Sequence, residues 1–328
     1  MLLLSEKDIA SIFKMEEAIE AVKDAFVMLS LGRVEAPLRV SLSAAPAAGT
    51  FLFMPSYSDE LEAAALKAVA VFPGNSEKGL PVTPAQVFLL DGNTGMTLAL
   101  LDGTYLTRVR TGAASGAAFD LLGLADARIG ALIGAGGQAP EQLIAMVTAR
   151  DLDELRVYDK DHDKLKQLVE SMTERLASTN TRIIAANQSD EAIEDADLIT
   201  LVTPSTTPVI DGSKVKPGAV VSCVGAYQHH MQELDPVVLE RAGKIYFDSK
   251  DAVLSESGDI LIPLEEGRIS ESDFTGNLGD LILGRIPGRE DNDEIIVFET
   301  VGTAAQDLVT AKRIYERALA TDKGTRWE

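Results

Sequence analysis

The stretch IGALIGAGGQAPEQLIAM, residues 129–146, decides the fold of this chain. An apolar run typical of a buried strand leads into a glycine-rich turn, and a helical pattern begins at about Gln138. In such a turn Gly134 allows the tight bend, Gly136 lets the backbone approach a pyrophosphate, and the small Ala139 permits close helix–strand packing. The pattern predicts a dinucleotide site, with a tight turn that binds no nucleotide as the alternative. The residues expected at the nucleotide are Gly134, Ala135, Gly136, Gly137 and Gln138.

Asp159 ends the second strand of this predicted domain, in RVYDKD (156–161). It lies 25 positions after Gly134. That is close to the spacing of roughly 20 at which an acidic residue binds the ribose hydroxyls. A carboxylate repels a 2′-phosphate, so the sequence favours NAD slightly over NADP, although the neighbouring Lys160 acts in the opposite direction. The alternative role of Asp159 is a helix N-cap.

Strand and helix patterns alternate after the glycine-rich turn. Strand-like runs occur in ELRVYD, RIIAA, DLITLVT, GAVVSCVG and KIYFD, with helical segments among them. This alternation predicts a parallel, doubly wound sheet. The fold class is therefore α/β, with a dinucleotide-binding (Rossmann) domain over residues 121–302.

Residues 1–120 have a different pattern. Short strand-like runs include GTFLFMPSY, and AQVFLLDGNTGMTLALLDG (85–103) has two apolar strands around a turn rich in Asp, Gly and Asn. The latter pattern predicts a hairpin in an antiparallel sheet. A long helical segment, TAAQDLVTAKRIYERALATDKG, ends the chain. We expect it to return to the first domain, so that an α+β domain comprises residues 1–120 and 303–328.

The composition limits the partners. The formal net charge of −21 repels phosphate backbones and anionic lipids, so neither nucleic acid nor a membrane surface is expected. The only cysteine, Cys223, lies in a strand-like run and is interpreted as a core residue. It allows no intrachain disulfide, and MLLLSEKDIASIF lacks the features of a signal peptide. We therefore expect a cytoplasmic location.

Three further stretches carry a family resemblance: LKAVAVFPGN (66–75), RTGAASGAAFDLL (110–122) and FETVGTAAQDLVTAK (298–312). Together with IGAGGQA, the chain resembles the ornithine cyclodeaminase/mu-crystallin family along nearly its whole length. The resemblance implies hydride chemistry at a carbon that bears nitrogen, next to a carboxylate. It also implies NAD or NADP as cofactor, a small amino or imino acid as substrate, and a homodimer formed through the sheet of the substrate domain.

The resemblance also implies a catalytic set. Arg39 and Arg110 match family arginines that bind the substrate carboxylate, for which the planar guanidinium fork is suited. Lys67 matches the family lysine beside the substrate, and two nearby arginines should lower its pKa. The segments 202–210 and 300–305 match those that line the nicotinamide and the substrate. The further cofactor residues are Thr203, Val224 and Gly225, and the substrate-wall residues are Met54, Thr83, Val301 and Gly302.

Tyr227 marks a departure from the cyclodeaminases, which have an aspartate at this position. With a usual pKa of about 10, tyrosine is a poor base at neutral pH, but it can donate a hydrogen bond or stack near the nicotinamide. The nearby Glu233 and Asp235 are interpreted as residues that open the next helix. The pattern favours an NAD(P)H-dependent reductase of a cyclic imino acid. Alanine dehydrogenase, ornithine cyclodeaminase and a non-enzymatic ligand-binding protein are the alternatives.

The three histidines do not indicate a metal site. His229 and His230 are adjacent, and His162 is distant in sequence. Neighbouring residues rarely bind one ion without further ligands, so no metal is expected. The histidine pair is interpreted as part of a solvent-facing turn, with a role at the mouth of the substrate pocket as the alternative.

Overall fold

The computed structural model describes residues 1–328, except for the side chains of Ala47 and Ser76. The chain divides into two compact units. Unit 1 contains Met1–Arg110 and Gly302–Glu328, and unit 2 contains Thr111–Val301. The sequence analysis set the first boundary at residue 120, whereas this division falls inside the helix α3 (Gly103–Leu122). Because the division falls within one continuous helix, no loop-forming residues mark it in the sequence.

Unit 1 contains a seven-stranded sheet. Its strands are β1 (Leu2–Leu4), β2 (Val40–Ala44), β3 (Gly49–Ser58), β4 (Ala63–Val71), β5 (Ala85–Asp91), β6 (Thr97–Asp102) and β15 (Thr325–Arg326). The strand order is β15-β1-β6-β5-β4-β3-β2. All neighbours are antiparallel except β1 and β6, which are parallel. The predicted hairpin is confirmed as β5 and β6.

The helices of unit 1 cover one face of this sheet. Besides the first turns of α3, they are α1 (Glu6–Ile12), α2 (Met15–Ser30) and α11 (Ala304–Thr321). The terminal helix α11 packs against α1, α2 and the strands β3–β5. Side chains alternate along β3, so Leu52 and Met54 are buried while Phe51 and Tyr57 are exposed.

Unit 2 contains an eight-stranded parallel sheet. Its strands are β7 (Ile129–Ile133), β8 (Glu154–Tyr158), β9 (Arg182–Ala185), β10 (Leu198–Leu201), β11 (Val220–Cys223), β12 (Ala242–Phe247), β13 (Phe274–Asn277) and β14 (Ile295–Glu299). The strand order is β13-β12-β14-β11-β10-β7-β8-β9. The chain runs outward from β7 to β9 and then returns to β10 on the other side of β7. The predicted doubly wound sheet is confirmed, with its switch point between β7 and β10.

Seven helices connect the strands of unit 2 in the part of the chain that the structure describes. They are α4 (Ala139–Ala149), α5 (His162–Arg175), α6 (Ser189–Ile193), α7 (Pro236–Arg241), α8 (Lys250–Glu256), α9 (Gly258–Glu265) and α10 (Leu278–Ile282). The strands β10 and β11 are buried at every position, as expected for the centre of a parallel sheet. Among the described residues, none of the helices combines the length and the apolar character that crossing a bilayer requires.

Candidate active site

Lys67 lies in the middle of β4, on the face of the sheet that α11 covers. Alternation along the strand places it on the same side as Ala65 and Val69, and its side chain is 1% exposed. The ammonium Nζ lies 2.8 Å from Oδ2 and 3.0 Å from Oδ1 of Asp307, a fully buried residue of α11. The sequence analysis did not identify Asp307, although a charged side chain on the apolar face of α11 was a signal for it.

Arg110 contacts the same carboxylate. Its Nε donates to Oδ1 of Asp307 at 3.2 Å, and the side chain is buried. Gly302 has a left-handed backbone (φ +78°), and a Cβ there would overlap the Arg110 guanidinium. Arg39, from the segment before β2, donates from Nη2 to the carbonyl oxygen of Gly302 at 2.8 Å. The structure therefore brings Arg39, Lys67 and Arg110 together around Asp307 and Gly302.

These three cations and Asp307 form what we call the cation cluster. The pKa of Lys67 is lowered to about 7, because burial and the Arg110 charge together outweigh the opposite effect of Asp307. The expected lowering is therefore present, with burial as its largest cause. Three cations facing one carboxylate leave an excess of positive charge that suits an anionic ligand.

The predicted substrate-wall residues lie in different surroundings. Met54 is buried and stands opposite Lys67 in the register of β3 and β4. Thr83 lies in the exposed segment that leads into β5. Val301 packs with the apolar core of unit 2, and Gly302 is the glycine beside Arg110. In unit 1, Met54 and Gly302 thus border the cations, while Thr83 lies in an exposed segment.

The glycine-rich turn has the geometry that a dinucleotide requires. Gly134 ends β7 with φ +113°, and a Cβ there would lie 2.7 Å from the Val202 carbonyl oxygen. An added Cβ at Gly136 or Gly137 would meet open space among the described atoms, so backbone amides are accessible at the start of α4. A helix N-terminus with such amides binds phosphate well, and these residues fit a dinucleotide.

Asp159 connects the turn to the end of β8. Its Oδ2 accepts from the Ala135 amide at 2.6 Å, and its Oδ1 accepts from the Asp161 amide at 2.8 Å. The N-cap of α5 is Asp161, so the alternative interpretation of Asp159 as an N-cap is wrong. The carboxylate lies beside the glycine-rich turn, where a ribose would be bound.

Glu233 links the predicted cofactor residues that follow β10 and β11. Its Oε2 accepts from the amide and the hydroxyl of Thr203, at 2.6 and 2.8 Å. Its Oε1 accepts from the amides of Gly225, at 2.6 Å, and Val224, at 3.3 Å. The prediction that Glu233 opens a helix is wrong, because the carboxyl group is buried between two strand ends. The helix α7 begins after Asp235, which caps it as predicted.

Glu233 belongs to a set of buried groups that we call the acid cluster, with Cys223, Asp259 and Glu299. The pKa of Glu233 is raised to about 8, because burial and the neighbouring Asp259 outweigh the opposite effect of the hydrogen bonds from Thr203 and Gly225. Burial likewise raises the pKa of Asp259 to about 7 and that of Glu299 well above its usual range.

Cys223 is fully buried, which confirms its interpretation as a core residue, and burial raises the pKa of its thiol. Its sulfur lies within 4.8 Å of oxygens of Asp259 and Glu299, a spacing that a metal ion could bridge. The expectation that no metal is bound considered histidines alone and did not foresee this group.

The Tyr227 loop follows β11. Tyr227 is half-buried, whereas His229 and His230 are exposed in a turn, which confirms the solvent-facing interpretation. His229 Nε2 lies 2.9 Å from Oε1 of the exposed Glu265. His162 is exposed in the first turn of α5. The described residues show no grouping of the histidines with one another or with the acid cluster.

The sequence and the structure are similar to those of known proteins. The chain is 37% identical over 328 residues to a Δ1-pyrroline-2-carboxylate reductase of Bacillus cereus, which covers 100% of both chains. The structure of Thermococcus litoralis Δ1-pyrroline-2-carboxylate reductase in complex with NADH and L-proline matches with a TM-score of 0.95, 39% identity and 100% of each chain covered. An archaeal alanine dehydrogenase dimer with bound NAD matches with a TM-score of 0.91 and 33% identity, over 100% of this chain and 99% of that one.

The family comparison agrees with the resemblance drawn from the sequence motifs. The model described as the ornithine cyclodeaminase/mu-crystallin family matches residues 1–322. The chain belongs to the ornithine cyclodeaminase/mu-crystallin family.

Proposed function

We propose that the protein is an NADH-dependent reductase of a cyclic imino acid, with Δ1-pyrroline-2-carboxylate as substrate and proline as product. The observation that carries the proposal is the buried cation cluster, in which a lysine with a pKa of about 7 lies beside two arginines. The similarity to two Δ1-pyrroline-2-carboxylate reductases over the full chain supports the choice of substrate.

The cations divide the work on the substrate. Arg39 and Arg110 hold the carboxylate, each with a guanidinium that can form paired hydrogen bonds. Lys67 directs its ammonium group toward the imine nitrogen and donates a proton there. A group with a pKa of about 7 is suited to this role, because it is protonated in a useful fraction near neutral pH and releases the proton readily. The C=N bond thus gains a hydride at carbon and a proton at nitrogen.

The cofactor is held by unit 2. Gly134–Gln138 bind the pyrophosphate, Asp159 binds the adenosine ribose, and the residues after β10 and β11 hold the nicotinamide half. When bound, NADH supplies the hydride. Asp159 favours NADH over NADPH, because its carboxylate accepts from ribose hydroxyls and repels a 2′-phosphate. Tyr227, which follows β11, serves as a hydrogen-bond donor or stacking partner.

Alanine dehydrogenase is the second candidate, favoured by the similarity to the archaeal enzyme. That reaction passes through an open-chain imine with the same carboxylate and the same proton requirement. Ornithine cyclodeaminase ranks lower because Tyr227 replaces the aspartate of the cyclodeaminases. A non-enzymatic binding protein ranks lowest, because such a protein has no need of a buried lysine with a lowered pKa.

The assembly proposed is a cytoplasmic homodimer formed through unit 1. One face of its sheet exposes large apolar side chains, among them Leu42, Phe51, Tyr57 and Phe88. An exposed apolar patch on a sheet marks an interaction surface. The dimeric state of the archaeal alanine dehydrogenase supports a second copy as the partner. Sedimentation of the purified protein should give the mass of two chains, and a Phe51→Lys variant should give one.

The function is tested by following NADH absorbance with separate substrates. We expect rapid oxidation of NADH with Δ1-pyrroline-2-carboxylate, and slower oxidation with pyruvate plus ammonia or when NADPH replaces NADH. A faster rate with pyruvate plus ammonia would establish the second candidate instead. Proline formed from ornithine, with release of ammonia, would contradict the interpretation of Tyr227. Binding of NADH without turnover of any substrate would favour the binding protein.

A further inference from the structure

The side chain of Glu233 accepts hydrogen bonds from the segments after both β10 and β11. The Oε2 atom binds the amide and hydroxyl of Thr203 after β10, and Oε1 binds the amides of Val224 and Gly225 after β11. One buried carboxyl group therefore accepts hydrogen bonds from three backbone amides and one hydroxyl. The Val224 amide also donates to the Leu201 carbonyl oxygen at 3.0 Å, whereas the amides of Thr203 and Gly225 would otherwise need another acceptor or water.

The two strand ends are packed too closely for any other residue at position 225. A Cβ at Gly225 would overlap the Thr203 carbonyl oxygen and lie 2.8 Å from Oε1 of Glu233. The glycine thus permits the carboxyl group to reach both strands at once. The bridge formed by the Glu233 carboxyl group therefore depends on the lack of a side chain at Gly225.

Asp259 in turn fixes the position of Glu233. Its Oδ1 accepts from the amides of Glu233, at 2.7 Å, and Leu234, at 2.9 Å. Asp259 lies in the first turn of α9 and is fully buried. The backbone that carries Glu233 is therefore held to a helix, although it lies in a loop with no regular structure of its own.

The sheet order shows which part of a dinucleotide these segments would contact. In a doubly wound sheet the dinucleotide crosses the switch point, so its two halves lie on opposite sides. The glycine-rich turn and Asp159 belong to β7 and β8, on one side of the switch between β7 and β10. Thr203, Val224 and Gly225 belong to β10 and β11, on the other side.

We propose that Glu233 is a positioning residue for the nicotinamide half of the cofactor. It holds the segments after β10 and β11 at the spacing that receives the nicotinamide, and has no contact with the adenosine half. The inference rests on the proposed use of NADH, but not on the identity of the substrate. Its specific consequence is that loss of Glu233 weakens binding of the complete dinucleotide and spares binding of its adenosine half.

The experiment compares NADH with ADP-ribose, which lacks the nicotinamide, by titration calorimetry of the full-length protein. In Glu233→Gln an amide NH₂ replaces one carboxyl oxygen and faces a backbone N–H, so one strand end loses its acceptor. We expect the Kd of NADH to rise about tenfold, equivalent to about 1.4 kcal/mol, while the Kd of ADP-ribose stays unchanged. The kcat should fall as well, because the nicotinamide is less well oriented.

Glu299→Gln is the matched control. Glu299 is equally buried in the acid cluster, and its Oε1 accepts from Ser257, not from the segments after β10 and β11. It should bind NADH and ADP-ribose as the parent does. If Glu233→Gln does not fold, Glu233→Asp keeps the carboxyl group but is too short to bridge both strands, and the same selective loss is expected.

Equal affinities of the parent and Glu233→Gln for NADH would overturn the proposal. An equal loss for both ligands would also overturn it, since it would indicate a general role in folding. Because neither titration contains substrate, these outcomes are independent of whether the protein reduces Δ1-pyrroline-2-carboxylate. Failure of the proposed function would show in turnover alone.

Discussion

Unit 1 and unit 2 each bury a cluster of ionisable side chains, and the two clusters are balanced in different ways. In the cation cluster Lys67 and Arg110 pair with the single carboxylate of Asp307, and Arg39 donates to the Gly302 carbonyl oxygen. In the acid cluster the carboxyl groups have no cationic partner among the described residues. Their oxygens accept mainly from backbone amides and hydroxyls of the same chain.

The difference supports the proposal that the cation cluster binds a ligand and that the acid cluster has a structural role. The cation cluster holds three basic side chains around one carboxylate, and this excess of positive charge supports the proposed binding of a substrate carboxylate. The carboxyl oxygens of the acid cluster accept from donors within the protein, except for Asp259 Oδ2 and Glu299 Oε2, and the raised pKa values reflect burial. A perturbed pKa marks a functional candidate, and the supply of partners decides which role it has.

Lys67→Met should have the largest effect. It removes the proposed proton donor and keeps an apolar side chain of similar length in the same space. We expect kcat to fall by about 10²- to 10⁴-fold, the usual contribution of general acid catalysis, while the Kd of NADH stays unchanged. Steady-state kinetics and calorimetry measure the two quantities.

Lys244→Met is the control for the loss of a buried lysine. Lys244 lies in unit 2, is 6% exposed and pairs with Glu294 at 2.6 Å and Glu290 at 2.9 Å, without a neighbouring arginine cluster. The Lys244→Met substitution should lower the stability of the protein but leave kcat unchanged. Comparable losses of kcat in both variants would contradict a specific role of Lys67.

Asp307→Asn should shift the pH dependence of turnover. Lys67 acts as a donor when protonated, so kcat declines as the pH rises through its pKa of about 7. Asp307 raises that pKa, and its removal should move the decline toward acid pH by about one unit or more. Asp24→Asn removes an exposed partner of Arg313 on α11 and should leave the profile in place. An unchanged midpoint in Asp307→Asn would show that another group controls the profile.

Asp259→Asn should have the smallest effect, seen mainly in stability, because the remaining amide oxygen can still accept from the amides of Glu233 and Leu234. The pKa of Asp259 is raised by burial from 3.8 to about 7, so the folded state holds a proton that the unfolded state releases. This contribution is complete below a pH of about 4 and is lost as the pH rises to about 7. The parent should therefore lose thermal stability between pH 5 and pH 7, and the variant should lose less. An equal fall in melting temperature between pH 5 and pH 7 in the parent and in Asp259→Asn would contradict this contribution of Asp259.

The sequence identified the parts of the site that are local in the chain. The glycine-rich turn and Asp159 were found because strand, turn and helix follow one another within about 30 residues. A local sequence pattern is therefore enough to predict their geometry. The fold class followed from the same alternation. Arg39, Lys67 and Arg110 were found through family motifs, and the alternation along β4 explains why Lys67 is buried.

The parts that were missed depend on contacts between distant stretches. Asp307 lies 240 positions from Lys67, and only the sheet–helix packing of unit 1 reveals their pairing. Glu233 lies in a loop where no periodicity applies, and the sequence alone assigned it to the wrong element. The helix α3 was not identified either. Apolar and small residues occur on all of its faces, so its sequence shows no amphipathic period.

The most direct test of the central claim follows the hydride itself. The protein would be incubated with Δ1-pyrroline-2-carboxylate and NADH carrying deuterium at C4 of the nicotinamide, in the transferable position, and the product analysed by mass spectrometry. Reduction of the imine carbon beside the carboxylate predicts proline with one deuterium at Cα. In an incubation of equal length, the Lys67→Met variant should form no proline that carries deuterium. Proline without deuterium, or no product from the parent, would contradict the account.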